Sequence, residues 1–275
     1  LMLAEAGYQP ILLERGLPAA AKKQLVDAFW AGAPLNPDCN VSFGEGGAGT
    51  FSDGKLNTLV KDNAGRNRKV LELFCKFGAD SSILYEQKPH VGTDRLISIV
   101  TAMREEILRL GGEVRFSSRA VDFRVEEDRL KAVLVERADG TRYELKTEVL
   151  IAATGHSARD TFRVLSSRGF SMEAKAFAVG FRVQHRQKDI SLSQYGAREA
   201  DFLPPAPYKL AAKTSVGRGV YSFCMCPGGY VVNASSEAGG TVVNGMSYAD
   251  RGSENANAAI IVSVTPEDFR RYGTG

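Results

Sequence analysis

Apolar positions along the chain recur with two periods, helical in the first third and alternating further on. The opening Leu1-Met2-Leu3-Ala4-Glu5-Ala6 reads as the end of a helix, stopped by Gly7 in the left-handed conformation. After the Tyr8-Gln9-Pro10 turn, Ile11-Leu12-Leu13 is a short continuous apolar run ending at Glu14, the pattern of a buried strand. Helices are predicted over residues 20–30 and 66–77, the second with Val70, Leu73, Phe74 and Phe77 on one face. The clearest stripe, Leu96, Ile99, Val100, Met103, Ile107 and Leu110, predicts a helix over 93–110. Thr93 or Asp94 can cap its start, and Gly111-Gly112 ends it.

Alternation then takes over. Strands are predicted at 113–116, 119–125, 130–137 and 142–145, the last two joined by an Asp139-Gly140 turn, which makes an antiparallel meander. A buried run, Val149-Leu150-Ile151-Ala152-Ala153, follows and stops at Thr154-Gly155. Strand, helix, strand, meander, strand is an α/β order, so 11–14 should lie parallel to both 114–116 and 149–153 in one sheet. From residue 171 the character changes. Strands at 176–183, 220–225, 230–234 and 258–264, with weaker signals at 209–210 and 242–243, are separated by Gly, Pro, Ser and Asn. The expectation is two domains, 1–160 and a β-rich 161–275, with a last helix starting at Pro266.

Composition narrows the class without naming it. At 275 residues, 44% hydrophobic and 24% charged, the chain has room for real cores. Thirty-five basic against 32 acidic residues give a net charge of +3, too even for a nucleic-acid footprint. No apolar stretch reaches the roughly 18 residues of a membrane span, and the start lacks a signal peptide's basic region. Four cysteines are too few for a disulfide scaffold, so a reducing cytoplasm is expected, with no zinc site and no membrane partner.

Chemistry concentrates in four places. Glu14, with Arg15 beside it, stands at a strand tip, where dinucleotide-binding βαβ units place the acid that accepts hydrogen bonds from ribose hydroxyls. Gly44-Glu45-Gly46-Gly47-Ala48-Gly49-Thr50 allows positive φ and close backbone approach, and its successive N–H groups suit an anion. Gly46, Gly47 and Gly49 would approach phosphates or a ring, while Thr50, Ser52 and Lys55 add hydroxyl and ammonium donors. The other reading of this segment is a flexible surface loop. Thr154-Gly155-His156-Ser157 closes a strand-to-helix junction of the kind that faces ligands, with Ser157 as a possible N-cap. His156 either faces a cofactor or bonds backbone, and His90 is either near a bound cofactor or structural. Cys224-Met225-Cys226 would set two thiols on one strand face, about 6.5–7 Å apart between Cα atoms. That pair is either a strained, reducible redox couple or core filler.

The meander placed before a strand ending in Thr-Gly resembles flavoproteins of the glutathione reductase type. Longer segments resemble the uncharacterised FAD-dependent dehydrogenase family of bacteria. These are Phe43-Gly44-Glu45-Gly46-Gly47-Ala48-Gly49-Thr50-Phe51-Ser52-Asp53-Gly54-Lys55-Leu56 and Lys88-Pro89-His90-Val91-Gly92-Thr93-Asp94, then the stretches at 154–160, 219–229 and 244–248. The resemblance implies a partial FAD-binding Rossmann-like domain with a β-meander insertion, plus a β-rich flavin-covering or substrate domain. It implies FAD, with NAD(P)H as a further electron donor, acting on a small-molecule substrate it does not name. Val121 would offer backbone to the adenine, and Thr154 and Gly155 would close a turn beside the dinucleotide. It also implies a first strand and G-x-G-x-x-G loop before residue 1 and a flavin-closing segment after 275. A chain without them is expected to bind FAD poorly and fold marginally. Two alternatives stay open: a flavoprotein assisting RNA modification, and a non-catalytic remnant that no longer retains FAD.

Overall fold

The computed structural model describes residues 1–56, 62–86 and 89–271; Lys88 of the 88–94 motif and the Gly273-Thr274-Gly275 end lie outside them. Helix α1 (Met2–Glu5) ends before Gly7, whose φ of 85° is the left-handed stop the sequence called for. Strand β1 (Ile11–Leu13) leads into α2 (Ala19–Trp30), then a short 3-10 turn at Gly47–Phe51, then α3 (Arg66–Lys76). Helix α4 (Thr93–Arg109) precedes β2 (Glu113–Arg115). Its predicted caps do other work. Thr93 Oγ1 donates to the carbonyl of Ser52, and Asp94 Oδ1 accepts the Ala249 amide, so neither side chain closes the helix start.

β1 and β2 pair in parallel, Ile11 opposite Glu113 and Leu13 opposite Arg115, as the βαβ order required. The third strand of that sheet does not form. Residues 149–153 run without strand pairing, with Val149 75% and Ile151 69% exposed. A strand needs a partner as well as an apolar run, and 149–153 pairs with neither β1 nor β2. The parallel sheet therefore has two strands among the described residues, without the third strand expected at 149–153.

The meander is as predicted: β3 (Ser118–Glu126), β4 (Arg129–Arg137) and β5 (Arg142–Lys146) pair in sequence order. Gly140, at φ 80°, makes the β4–β5 turn. Helix α5 (Arg159–Ser167) lays Val164 and Leu165 on a core of Phe123, Val133 and Val135, which Leu13 joins. Its N-cap is Ala158, so Ser157 is not the cap.

The β-rich half begins with β6 (Phe177–Arg186) and α6 (Gln187–Tyr195), then β7 (Ala211–Lys213) and β8 (Gly219–Cys226). It continues through β9 (Tyr230–Asn233), β10 (Val243–Met246) and β11 (Asn255–Val264) to α7 (Pro266–Arg271). One antiparallel sheet runs β6-β11-β8-β7, and β9 pairs with β10. A single core crosses the 160/161 position. Val26, Val41 and Phe51 pack with Val232 and Met246, and Trp30 joins them while donating Nε1 to the Asn233 carbonyl at 2.8 Å. Each fully buried side chain of this size stabilises by about 1.5–3 kcal/mol, so the glycine-rich segment is clamped between the halves.

Candidate functional site

The glycine-rich segment is held by side chains around it. Glu14 ends β1, and its Oε1 accepts the amides of Gly16 at 2.8 Å and Gly44 at 3.0 Å. Gly16 is obligatory there, since a Cβ would strike the Gly44 backbone. Glu45 receives Arg104 Nε at 2.7 Å and the Ala19 amide at 2.8 Å, tying the segment to α4 and to the start of α2. Beneath the turn lies Lys22, fully buried. Its Nζ donates to the Gly47 carbonyl at 2.7 Å and to Thr50 Oγ1 at 3.3 Å. Burial pushes its pKa down from 10.5 to about 8, against the pull of Glu14 and Glu45. Gly46 and Gly47 take φ of 78° and 55°, and around Gly49 the space where a side chain would stand is open. A cavity of about 180 Å³ opens here, lined by Gly46, Gly49, Ser52 and Lys55 together with the apolar side chains Phe74, Leu96 and Val100.

Next to the cavity stands a buried polar knot built on Asp53, which is 2% exposed. Its carboxylate takes Lys55 Nζ at 2.8 Å, Arg251 Nη2 at 3.3 Å and the Ser247 hydroxyl. His90, bridged to Lys55 through backbone, brings Nε2 to 3.6 Å from Asp53. Burial first, then the Arg251 charge, holds the His90 pKa below the usual histidine range, so the ring is neutral at neutral pH. Lys55 also donates to the carbonyl of Met225. The knot thus joins 53–55 and 90 of the first half to 225 and 247–251 of the second.

The sequence-predicted residues divide into those brought together and those kept apart. Glu14, Gly46, Gly47, Gly49, Thr50, Ser52 and Lys55 share one region. Thr50 is buried and its hydroxyl donates to the Gly47 carbonyl; the Ser52 hydroxyl donates to the Gly49 carbonyl and accepts the Gly54 amide. Arg15 forms an ion pair with Asp160 at 2.5 Å and lies over the Phe43 ring. Thr154, Gly155 and His156 are exposed, yet Ser157 beside them comes within 3.5 Å of Ser42, so that turn borders the glycine segment. His156 Nε2 meets the Ser157 hydroxyl at 3.3 Å. Val121 is half-buried at a bulge in β3.

The cysteine pair is not the one-face arrangement expected. Cys224 takes φ 46°, and β8 bulges so that Phe223 and Cys226, three residues apart, oppose Ala259 and Asn257 of β11. Alternation is lost across Cys224-Met225, and all four cysteines are free thiols. Cys226 is fully buried, and that burial pushes its pKa up to about 12, which keeps it a thiol. Sequence reasoning missed Lys22, Asp53, Arg182, Ser247, Arg251 and Asn257 as a set. Asp53 and Ser247 stand inside motifs quoted for the resemblance, but nothing in the order of residues pairs them. Among the described residues no helix is long and apolar enough to cross a membrane, and no three His, Cys, Asp or Glu side chains stand at metal-binding spacing.

Comparison with known proteins bears on this junction. An uncharacterised protein of Clostridium beijerinckii is 47% identical over 272 residues, covering 98% of this chain and 50% of its own length. Tetracenomycin B2 monooxygenase-dioxygenase of Streptomyces olivaceus is 34% identical over 94 residues, 33% of this chain and 16% of that protein. Among solved structures, the flavoprotein/dehydrogenase of Cytophaga hutchinsonii shares 12% identity at a TM-score of 0.38, covering 96% of this chain and 57% of that one, too slight a likeness to carry the fold. The chain spans half the length of its Clostridium relative. Residues 176–274 match the family described as FAD-dependent protein, C-terminal domain-like.

Proposed function

We propose that this chain is part of a FAD-dependent oxidoreductase in which the glycine-rich turn and the β-rich half jointly hold the flavin beside a small-molecule substrate. One observation carries the reading: the half that matches a FAD-dependent family closes, through Met225, Ser247 and Arg251, onto the glycine-rich turn of the other half. The residues suit the cofactor. Gly47 and Gly49 leave backbone open to close approach, Ser52 and Lys55 line the cavity, and Phe74, Leu96 and Val100 give it apolar surface for a ring. At about 180 Å³ the cavity is below the ~300 Å³ at which pockets for whole ligands begin, so it takes one portion of a dinucleotide. Bound FAD supplies the electron-accepting ring, and the protein supplies orientation and electrostatics. Glu14 and Lys22 act by fixing the turn, Glu14 through the Gly44 amide and Lys22 through the Gly47 carbonyl. A nicotinamide donor and dehydrogenase chemistry belong to the same proposal. The Streptomyces relative, a monooxygenase-dioxygenase by name, favours a second reading, in which FAD held by the same residues would supply oxygenase chemistry with molecular oxygen as co-substrate and a reduced donor as electron source.

Gly49→Leu tests the reading in the full-length protein. A Cβ at 49 meets nothing within 4 Å, so the leucine can start without a backbone clash and extend into the cavity, and the variant should fold. The expected result is loss of flavin absorbance from the purified variant. Full flavin occupancy in the variant would sink the proposal, as would an unsubstituted protein that carries no flavin and gains no thermal stability from added FAD. Product analysis under oxygen separates the two chemistries, since hydroxylated product belongs to the second alone.

A further inference from the structure

The polar knot has too many donors and too little negative charge. Lys55 and Arg251 share the one carboxylate of Asp53, and Arg182 has no carboxylate within 4 Å among the described residues. Asp94 stands exposed at the rim and spends Oδ1 on the Ala249 amide. Arg182 donates Nη1 to Asn257 Oδ1 at 2.6 Å and to the Cys224 carbonyl at 3.1 Å, and Nη2 to Asn244 Oδ1 at 3.4 Å. All three acceptors are neutral. Asn257 is fully buried, and its Nδ2 meets no acceptor at all. Four of the five buried side-chain nitrogens without a partner belong to this knot: His90 Nε2, Arg182 Nε, Arg251 Nε and Asn257 Nδ2. Buried polar atoms are nearly always paired, so the three donors among them, Arg182 Nε, Arg251 Nε and Asn257 Nδ2, point to a missing acceptor. A Cβ at Gly245 would strike Arg182 Nη1, Asn257 Oδ1 and Cys226 Sγ together, so the glycine lets these three groups pack directly against its backbone.

We infer that the Arg182–Asn257–Lys55–Arg251 cluster binds the carboxylate of an anionic substrate. Three cations against one buried carboxylate leave a surplus that an anion neutralises. Arg182 is the anchor, because the Nε–Nη2 edge is the one a guanidinium uses to grip a carboxylate with two parallel bonds. Here that edge holds one nitrogen without an acceptor and one on a long bond. Lys55 belongs both to the knot and to the lining of the cavity, which also includes the apolar side chains Phe74, Leu96 and Val100. The inference rests on the flavin reading for what lies beside the substrate, and on the knot alone for its charge. The oxyanion could instead be a phosphate of the cofactor, and the experiment separates the two.

The full-length protein is titrated with benzoate, with neutral benzamide and with inorganic phosphate, following melting temperature, and flavin content is measured separately. Benzoate should raise the melting temperature saturably, while benzamide should not. Arg182→Gln should weaken the benzoate response about tenfold or more and leave flavin content unchanged. Arg182→Lys, which keeps the charge and loses the fork, should fall between them. Equal effects of benzoate and benzamide would overturn the inference, as would a response to phosphate alone. Loss of flavin from Arg182→Gln would assign the site to the cofactor and overturn it too. Should Arg182→Gln fail to fold, the benzoate and benzamide comparison on the unsubstituted protein still decides. A protein without flavin still reports benzoate binding through its melting temperature, so the two readings fail separately.

Discussion

Replacing Lys22 by Met isolates the energetics of the glycine-rich turn. Lys22 is fully buried and its pKa falls from 10.5 to about 8, with desolvation the leading cause. At about 1.4 kcal/mol for each pH unit, that fall corresponds to ~3 kcal/mol. The sign follows from which state binds the proton. Above pH 10.5 both states are neutral and the group costs nothing. Between 10.5 and about 8 the unfolded chain is protonated first, so stability drops as pH falls, and below 8 the full cost is present. Lys22→Met removes that cost together with the bonds to Gly47 and Thr50, worth about 1.5–3 kcal/mol to a charged donor. Gly47 keeps a second donor in the Thr50 hydroxyl. At neutral pH the two effects offset and stability should change little. Near pH 10 the variant should be less stable than the parent. Urea denaturation of both proteins across this window is the assay. A difference in unfolding free energy that stays constant from pH 7 to about 10.5 would refute the reasoning.

Two further outcomes follow from the junction. Gly92 holds φ 84°, and a Cβ there would strike the backbone of Ala249, so Gly92→Ala should cost about 2–4 kcal/mol, read as a lowered urea midpoint. Cys226, a buried thiol with its pKa near 12, should resist iodoacetamide in the folded protein at mildly alkaline pH and react once denaturant is added; labelling of the native protein at Cys226 would contradict this.

What the sequence made legible was local. The stripe Leu96–Ile99–Met103–Ile107 repeats on one helical face, and the structure buries Leu96, Ile99 and Ile107 from it. Asp139-Gly140 sets its own turn geometry, so the meander could be read without its neighbours. The segment 149–153 shows the limit. Its composition is that of a buried strand, but pairing is a property of two segments, and the partner is not written into the run itself. Thr93 and Asp94 show another. Both are good N-caps by type, and both are drawn off by Ser52 and Ala249, which lie far away in sequence. The bulge at Cys224 likewise depends on how β8 meets β11, which period-two counting cannot see. For the site, Glu14 and the glycines were visible because glycine spacing and a strand-end acid are local signs. Asp53, Arg182 and Asn257 were not, because each is an ordinary residue until the fold brings it to the others.

That split has a physical consequence for how the junction works. The glycine-rich turn is fixed from the first half by Glu14, Lys22 and Glu45, and the knot around Asp53 is completed only by Ser247 and Arg251 from the second. Without those partners the Asp53 carboxylate would keep Lys55 but lose the Ser247 hydroxyl and the Arg251 guanidinium, so docking of the halves and completion of the charged cluster go together. The surplus positive charge then works against that docking until an anion arrives. A ligand that bridges both halves stabilises the docked state by about 2.7 kcal/mol when present at a hundred times its Kd. Binding energy spent in the cluster is therefore felt at the glycine turn, through Lys55, which belongs to both.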